Sequence, residues 1–563
     1  MNTQTLSAAH PGDGLRSRLR LPRYSCRQET LILAVSLWFT LACNGPFWHA
    51  LLQARPLSTP GAWSLALGLG LSITALHALI PGLLGNRYTL KPLLALLLTL
   101  ACCASFYMAK FGIYVDPDML RNVLRTDPAE AKELLTWDLL PHLILYLLLP
   151  LVLLQRVQLL PVSRGRALLI RGAGLLVALI LGAGGLALNF QDLAALMRNN
   201  KEMRYLITPG NSLYSLGRVL GKDARAETGP KRVTGPDAAL GAAWSQRQKP
   251  VLFVIVVGET ARAANWGQHP GPDGAPRNST PELGSRGDLI QFSEVTSCGT
   301  NTEVSVPCMF SAQGRRHYDE DAIRNSESLL HVLDRAGFKV VWRDNQAGCK
   351  GTCSGLEQER LHNAQLPGLC DGERCLDEIL LEGAEQLAAD AQGNLVLVLH
   401  QLGNHGPAYY KRYPERFRRF TPTCDTADLS QCSQEAIANS YDNALLYTDH
   451  FLARTQDFLK ARAERYDTAL IYLSDHGESL GENGLYLHGM PYAIAPREQT
   501  RVPMLMWLSP GYARSFGLDT ACLRREAGKP ASHDNLFHTV LGLLDVSTQA
   551  RDPQLDISAP CHS

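Results

Sequence analysis

The run Val251-Leu252-Phe253-Val254-Ile255-Val256-Val257-Gly258-Glu259 decides how the larger half of this chain folds. Seven consecutive apolar residues suit a short strand buried on both faces, as in a mainly parallel sheet. Four more such runs follow, at Val340–Trp342, Leu395–Leu399, Ala469–Leu473 and Pro503–Leu508, with helical stretches such as Ser328–Ala336 and Tyr441–Ala463 between them. In a sheet of this kind the functional loops gather at the carboxyl ends of the strands. Glu259, Asp344, His400 and Asp475 each follow a strand end, so one edge of the sheet collects the candidate chemistry.

The strand Ala469–Leu473 leads into Asp475-His476-Gly477-Glu478. Its carboxylate and imidazole can share one metal, with Gly477 letting the chain turn away, and Glu259 adds a second carboxylate. The stretch Ser297-Cys298-Gly299-Thr300-Asn301-Thr302-Glu303-Val304-Ser305-Val306-Pro307-Cys308-Met309-Phe310 sets Thr302, a candidate hydroxyl nucleophile, between two cysteines. A threonine hydroxyl hardly ionises at neutral pH, and a divalent cation favours its deprotonated form. With Thr302 counted, the site offers three oxygens and one nitrogen. Zinc accepts that set in tetrahedral geometry, whereas manganese or magnesium wants more oxygens or water. A strand-end Asp-His alone is often only a cap; four elements in matching positions point to a metal site that splits phosphate esters.

His405, in His400-Gln401-Leu402-Gly403-Asn404-His405-Gly406-Pro407, and His488, in Leu487-His488-Gly489, form a second tier. They could bind a second metal, hold a substrate phosphate or protonate a leaving alkoxide; isolated histidines are more often structural. Lys350, in a loop constrained by Gly and Cys, could neutralise a phosphate oxygen or simply be solvated.

The first third of the chain is different. The mean hydropathy of −0.07 averages two unlike parts. Five apolar spans, each roughly 20 residues and long enough for a bilayer, lie near 29–49, 61–84, 91–112, 137–155 and 167–188. Arg16, Arg18, Arg20, Arg23 and Arg27 precede the first, Arg87 and Lys91 separate the second and third, and Arg156, Arg164 and Arg166 separate the fourth and fifth. The positive-inside rule makes that side the cytoplasm and puts the C-terminal domain outside. The expected organisation is a cytoplasmic segment 1–28, a transmembrane domain 29–190, a connector and linker 191–248, and a globular catalytic domain 249–563. A net charge of +1 gives no reason to expect a nucleic-acid partner.

Cysteine usage agrees with this topology. Of 14 cysteines, Cys26, Cys43, Cys102 and Cys103 fall in the cytoplasmic start or the spans, and the other ten fall in the outer domain. Cys298/Cys308, Cys349/Cys353, Cys370/Cys375 and Cys424/Cys432 have short loop spacing and are disulfide candidates in an oxidising compartment. Cys522 with Cys561 follows by elimination. The competing reading of Cys349–Cys353 and Cys370–Cys375 is a zinc site. Between the third and fourth spans, Asn122, Thr126 and Glu130 recur every four residues, which would place them on one helical face at the membrane interface. Pro128 instead favours a helix start capped by Thr126 or Asp127.

The Ser297–Phe310 stretch, the Gly403–Tyr410 run, Ser474-Asp475-His476-Gly477-Glu478-Ser479 and the five spans together resemble the bacterial lipid A phosphoethanolamine transferases, the group that includes transferable colistin-resistance enzymes. The resemblance covers essentially the whole chain. It implies a five-helix transmembrane bundle plus an α/β alkaline phosphatase-like, sulfatase-related periplasmic domain in a multi-pass protein of the bacterial inner membrane, expected to be a monomer. It implies that Glu259, Thr302, Asp475 and His476 hold zinc, one ion firmly and a second as an option, and that Thr302 is the nucleophile. Asn122, Thr126 and Glu130 match headgroup contacts, and Lys350, His405 and His488 match substrate-pocket positions. The implied reaction transfers phosphoethanolamine from phosphatidylethanolamine to a lipid A phosphate through a covalent threonine intermediate, which weakens binding of cationic peptides such as polymyxin. Gln346, Asn301 and Glu303 depart from the pattern. The rivals are the same chemistry on core heptose, a periplasmic glucan or a protein, and a non-catalytic membrane scaffold. A sulfatase lacks support because no Cys/Ser-x-Pro-x-Arg motif is present.

Overall fold

The computed structural model describes residues 24–226, 230–267 and 277–562. Arg16, Arg18, Arg20 and Arg23 of the basic N-terminal group lie outside the described residues, as does part of the 191–248 connector and linker. The chain divides into two compact units, one of residues 1–109 and 138–212 and the other of residues 110–137 and 213–563.

The first unit is a bundle of apolar helices. Four of them, Ala62–Leu84, Leu90–Phe111, Leu139–Arg156 and Gly165–Leu188, are long and apolar enough to cross a membrane. The first expected span is not one straight helix. Gln28–Cys43 and Gly45–Ala54 meet at an angle of 57°. Pro46 cannot donate a backbone hydrogen bond, so the ladder breaks there. Asn44 fills the gap: its buried amide donates to the Phe39 and Thr208 carbonyls at 2.8 Å each and accepts from Thr208 N at 2.8 Å. Ala62–Leu84 and Gly165–Leu188 pack through small residues, the usual solution where lipid supplies no hydrophobic drive. A Cβ on Gly185 would stand 2.6 Å from the Gly68 carbonyl oxygen, and Ser72 Oγ donates to the Gly182 carbonyl at 2.9 Å.

The second unit is built on a seven-stranded sheet: β1 (Val251–Gly258), β2 (Ile290–Gln291), β3 (Lys339–Asp344), β4 (Glu357–Arg360), β5 (Leu395–His400), β6 (Asp467–Ser474) and β7 (Met504–Leu508). Their spatial order is β2-β7-β6-β1-β5-β3-β4. Strands β6, β1, β5, β3 and β4 run parallel, and β7 is antiparallel to β6. The mainly parallel sheet read from the sequence is therefore observed, with all five expected runs in it. Every residue from Val251 to Val257 is wholly buried, and burial of each such large apolar side chain contributes about 1.5–3 kcal/mol. The edge strand β4, Glu-Gln-Glu-Arg, escaped the sequence reading because it has no apolar signal; its charges blunt the sheet edge.

Four helices of this unit bear on the site: α1 (Pro117–Arg125), α2 (Pro128–Glu133), α3 (Thr302–Met309) and α4 (Gln434–Lys460). Ser433 caps α4 by accepting from Ala436 N, so the helix begins about two turns before the expected Tyr441. Its early turns bury Asn439, Asp442 and Asn443, which hides the apolar period. Asn122, Thr126 and Glu130 do not share one helix. Asp116 caps α1, Thr126 is its extended C-terminal residue, and Pro128 opens α2. A residue before or near proline leaves the helical region, and Pro itself fits the first turn.

Five disulfides close the second unit: Cys298–Cys308, Cys349–Cys353, Cys370–Cys375, Cys424–Cys432 and Cys522–Cys561. Cys26, Cys43, Cys102 and Cys103 are free. Alkylation of the unreduced protein followed by peptide mapping is expected to label those four alone. Label on Cys349, Cys353, Cys370 or Cys375 would instead support the zinc-ligand alternative.

Candidate active site

Strand register assembles the site. β1 and β6 pair with Gly258 opposite Ser474, so Glu259 and Asp475 leave adjacent parallel strands at the same level. His400 ends β5 opposite Val257, and Asp344 ends β3 opposite His400. Glu259, Asp475 and His476 each offer one ligand atom, all within 4.8 Å of one another, and all three are buried. Thr302 begins α3, where Asn301 caps the helix by accepting from Val304 N at 3.1 Å. Thr302 Oγ1 lies 3.1 and 3.3 Å from the two Glu259 oxygens and 3.4 Å from His476 Nε2. The four sequence-predicted elements thus converge on one point.

The protonation pattern fits a divalent cation there. His476 Nδ1 is 2.9 Å from the Gly477 carbonyl, which only accepts, so Nδ1 carries the proton. Its Nε2 lies 3.4 Å from both Glu259 Oε1 and Asp475 Oδ2. Asp475 Oδ2 is buried and has no hydrogen-bond partner. Burial and then the Glu259 charge push the Asp475 carboxyl up to about 6. Burial also works against Glu259, but the His476 hydrogen bond and charge outweigh it and hold that carboxyl below the usual range. Burial opposes a charged His476, yet Asp475 and then Glu259 raise it to about 10. Two buried carboxylates thus call for positive charge, and a cation on Nε2 meets the same demand while displacing a proton.

Around this cluster stand residues the sequence reading missed. Thr260 adopts a left-handed conformation, φ 61°, costly for a β-branched residue. There its hydroxyl donates to Glu259 Oε1 at 2.7 Å while its amide donates to Asp475 Oδ1 at 3.1 Å. His533 accepts from Cys298 N at 3.0 Å and donates from Nε2 to the Ser474 carbonyl at 2.9 Å, tying the segment that leads to Thr302 to the end of β6. Buried Asp377 accepts from the amides of Leu402 and Gly403 at 2.8 and 2.9 Å and fixes the loop that carries His405. A lone His in Ser-His-Asp, or an Asp inside a short 3-10 turn, has no sequence pattern to mark it.

His488 Nδ1 donates to Glu478 Oε2 at 2.9 Å, while Tyr409 donates to the other Glu478 oxygen at 2.7 Å. The His488 ring centroid is 4.4 Å from that of His476 and 5.3 Å from that of His405. Burial holds His405 down to about 4, so it is neutral at pH 7. Glu130 is buried, with a carboxylate oxygen 3.8 Å from His405 Nε2 and another 3.9 Å from Arg374. Helix α1, which carries Asn122, packs on α3, and Thr126 Oγ1 donates to the Asn122 carbonyl at 2.7 Å. Lys350 lies 3.3 Å from Glu303 Oε1. The departures now have structural roles: Asn301 is the cap of α3, Glu303 is an ion-pair hub, and Gln346 accepts from the Ala347 amide at 2.5 Å.

Such a sheet edge, with a hydroxyl facing a carboxylate–imidazole cluster, belongs to the sulfatase-related class. The sulfatase family profile matches residues 252–546, and that of the phosphoethanolamine transferases EptA/EptB matches residues 73–224. The chain is 37% identical over 543 residues to phosphoethanolamine transferase EptA of Escherichia coli (strain K12), covering 96% of this chain and 98% of that one. It is 36% identical over 538 residues to phosphatidylethanolamine transferase Mcr-1 of Escherichia coli, covering 93% and 96%. The integral membrane protein lipooligosaccharide phosphoethanolamine transferase A (EptA) from Neisseria meningitidis superposes with a TM-score of 0.90 at 35% identity, covering 96% and 99%. The chain therefore belongs to the phosphoethanolamine transferase family and is a membrane-embedded enzyme of that class.

Gly477 is required by space rather than by turn freedom. A Cβ there would stand 2.1 Å from the Glu498 carbonyl oxygen and 3.1 Å from Arg262 Cβ. Gly477→Ala must shift His476, and a displacement near 1 Å costs about 100-fold in rate. Phosphoethanolamine transfer by the purified variant is expected to fall by that order, with bound metal per chain reduced as read by elemental analysis.

Proposed function

We propose that the enzyme moves phosphoethanolamine from phosphatidylethanolamine to a phosphate of lipid A, with Thr302 carrying the group between the two. The observation that supports it most is Thr302 Oγ1 at 3.1 Å from Glu259 and 3.4 Å from His476, at the start of a helix. Glu259, Asp475 and His476 would hold zinc together with Thr302, a donor set of nitrogen and oxygen suited to that ion. When bound, zinc supplies Lewis acidity that favours the ionised hydroxyl and offsets charge on the phosphoryl oxygens.

In the first displacement the Thr302 oxygen forms a bond to phosphorus. The bond from phosphorus to the glyceryl oxygen breaks, and diacylglycerol leaves with a proton on that oxygen. In the second, an oxygen of the lipid A phosphate attacks the same phosphorus, and Thr302 recovers its hydroxyl proton. The N-terminal end of α3 places the positive end of a helix dipole beside the phosphoryl group. His488, with Nδ1 committed to Glu478, keeps Nε2 as its proton-accepting atom. Neutral His405 beside it serves as a hydrogen-bond partner, and the pair is available to a second zinc. Asn122, Thr126 and Glu130 receive the ethanolamine headgroup, with the Glu130 carboxylate as the counter-charge for its ammonium. Lys350 offsets phosphoryl charge. Sensitivity to cationic peptides falls because the product carries an added amine.

The reading extends to location. Five disulfides suit an oxidising compartment, and the lysine and arginine bias puts the catalytic unit on the opposite side from the cytoplasm. The enzyme then works as a monomer in the bacterial inner membrane, facing the periplasm.

Lipid A from a host expressing the chain is expected to show a phosphoethanolamine mass increment, lost with Thr302→Ala. An increment on the core sugars alone would move the acceptor assignment. Chelation of purified enzyme should abolish diacylglycerol release and zinc should restore it; activity that survives exhaustive chelation, with no zinc found by elemental analysis, would refute the zinc assignment.

A further inference from the structure

A cavity of about 570 Å³ adjoins the nucleophile helix. Glu303 lines it, whereas Thr302, Glu259, Asp475 and His476 do not. Its walls carry five cations, Arg125, Lys231, Arg324, Lys350 and Arg360, against two carboxylates, Glu303 and Glu327. Glu327 is already taken by Arg335, 2.5 Å away. Glu303 is buried and sits 3.2 Å from Arg125, 3.3 Å from Lys350 and 3.4 Å from Arg324, and Arg324 also meets Glu320, outside the cleft lining, at 3.2 Å. Among the described residues neither Lys231 nor Arg360 has an ion-pair partner. Lys231 Nζ donates to the Gly351 carbonyl at 2.5 Å. Burial and then the neighbouring Arg324 hold its ammonium below the usual range.

The frame around these charges is rigid. Lys350 is held at φ 50°, a left-handed conformation unusual for a residue with a side chain, inside the loop closed by Cys349–Cys353. Surplus positive charge fixed in a concave site recruits an anion, and guanidinium forks with ammonium donors match the oxygens of a phosphate. The volume falls in the range of about 300–1,000 Å³ used for small-molecule sites, enough for a phosphate together with part of a sugar. The reacting phosphorus must lie at Thr302, so a phosphate held here is a different one. A donor with a single phosphate cannot occupy both places, while an acceptor with two phosphates can.

We propose that this cleft is the acceptor subsite for a non-reacting phosphate monoester, gripped by Lys231 and Arg360 with Arg324, while another phosphate of the same molecule attacks at the Thr302 centre. The proposal rests on the transfer reading above. Lys231 and Arg360 then set the preference for doubly phosphorylated acceptors.

The test uses purified full-length enzyme with lipid A bearing two phosphates or one, and follows both product formation and diacylglycerol release. Arg360→Glu, at an exposed position, and Lys231→Ala are each expected to raise KM for the bisphosphorylated acceptor about tenfold, the loss expected for one charge-assisted hydrogen bond. KM for the monophosphorylated acceptor should not change, and diacylglycerol release serves as the donor control. An unchanged KM for the bisphosphorylated acceptor in Arg360→Glu overturns the subsite. Loss of diacylglycerol release at unchanged thermal stability also overturns it, by assigning the cleft to the donor headgroup. If wild type releases diacylglycerol but modifies neither lipid A, the acceptor reading itself has failed.

Discussion

Two carboxylates buried side by side at the ends of β1 and β6 set the terms for the rest of the catalytic unit. Parallel pairing with Gly258 opposite Ser474 leaves no other place for Glu259 and Asp475. Like charges so close and so dry repel strongly, and the surroundings are arranged to hold them. Thr260 accepts a strained backbone to hydrogen-bond both. Gly403 lets the His405 loop pass within contact of Glu259, since a Cβ there would stand 2.6 Å from the Glu259 carbonyl oxygen. His476 places Nε2 3.4 Å from an oxygen of each. An arrangement that costly is characteristic of functional sites.

Much of this was legible in the sequence, and the parts that were not share a physical cause. Continuous apolar runs marked β1, β3, β5, β6 and β7, because strands covered on both faces must be apolar throughout. Glu259 and Asp475 could be placed side by side for the same reason, since each sits two residues past such a run. What escaped was polar and buried. The start of α4 packs Asn439, Asp442 and Asn443 inward, so no apolar period announces it. Asp377, His533 and Thr260 act through backbone amides and carbonyls brought together only by the fold. Asn44 likewise carried no sign that its amide would brace the bend after Cys43 by bonding the Phe39 and Thr208 carbonyls.

Glu303 shows how a departure from a family pattern can carry structural weight. It follows Thr302 directly, and burial alone would disfavour its charge. Lys350, Arg324 and Arg125 overcome that cost and keep it ionised. The hub fixes the first turn of α3 and hence Thr302, and it orients three cations that come from separate parts of the chain. Replacing such a hub with a smaller neutral residue would leave the buried Lys350 side chain without its counter-charge, a larger penalty than the pair interaction itself is worth.

The segment between the third and fourth spans belongs to the globular unit by the same logic. Arg121 is buried and pairs with Glu320, Arg125 with Glu303, and Lys110 with Asp428 at 2.8 Å. Buried Arg412 meets Glu133 at 2.7 Å and also donates to the His405 carbonyl at 2.6 Å. Buried ion pairs contribute little net stability, because desolvation offsets most of the attraction, but they tolerate one geometry and reject others. Residues 110–137 are therefore registered on the catalytic domain with the accuracy of its own core. Glu130 is then not a loose loop carboxylate beside the site. Its position relative to His405 is set by the Glu133–Arg412 pair one turn away, so a charge change at Arg412 would be felt at Glu130 and His405 before it reached Thr302.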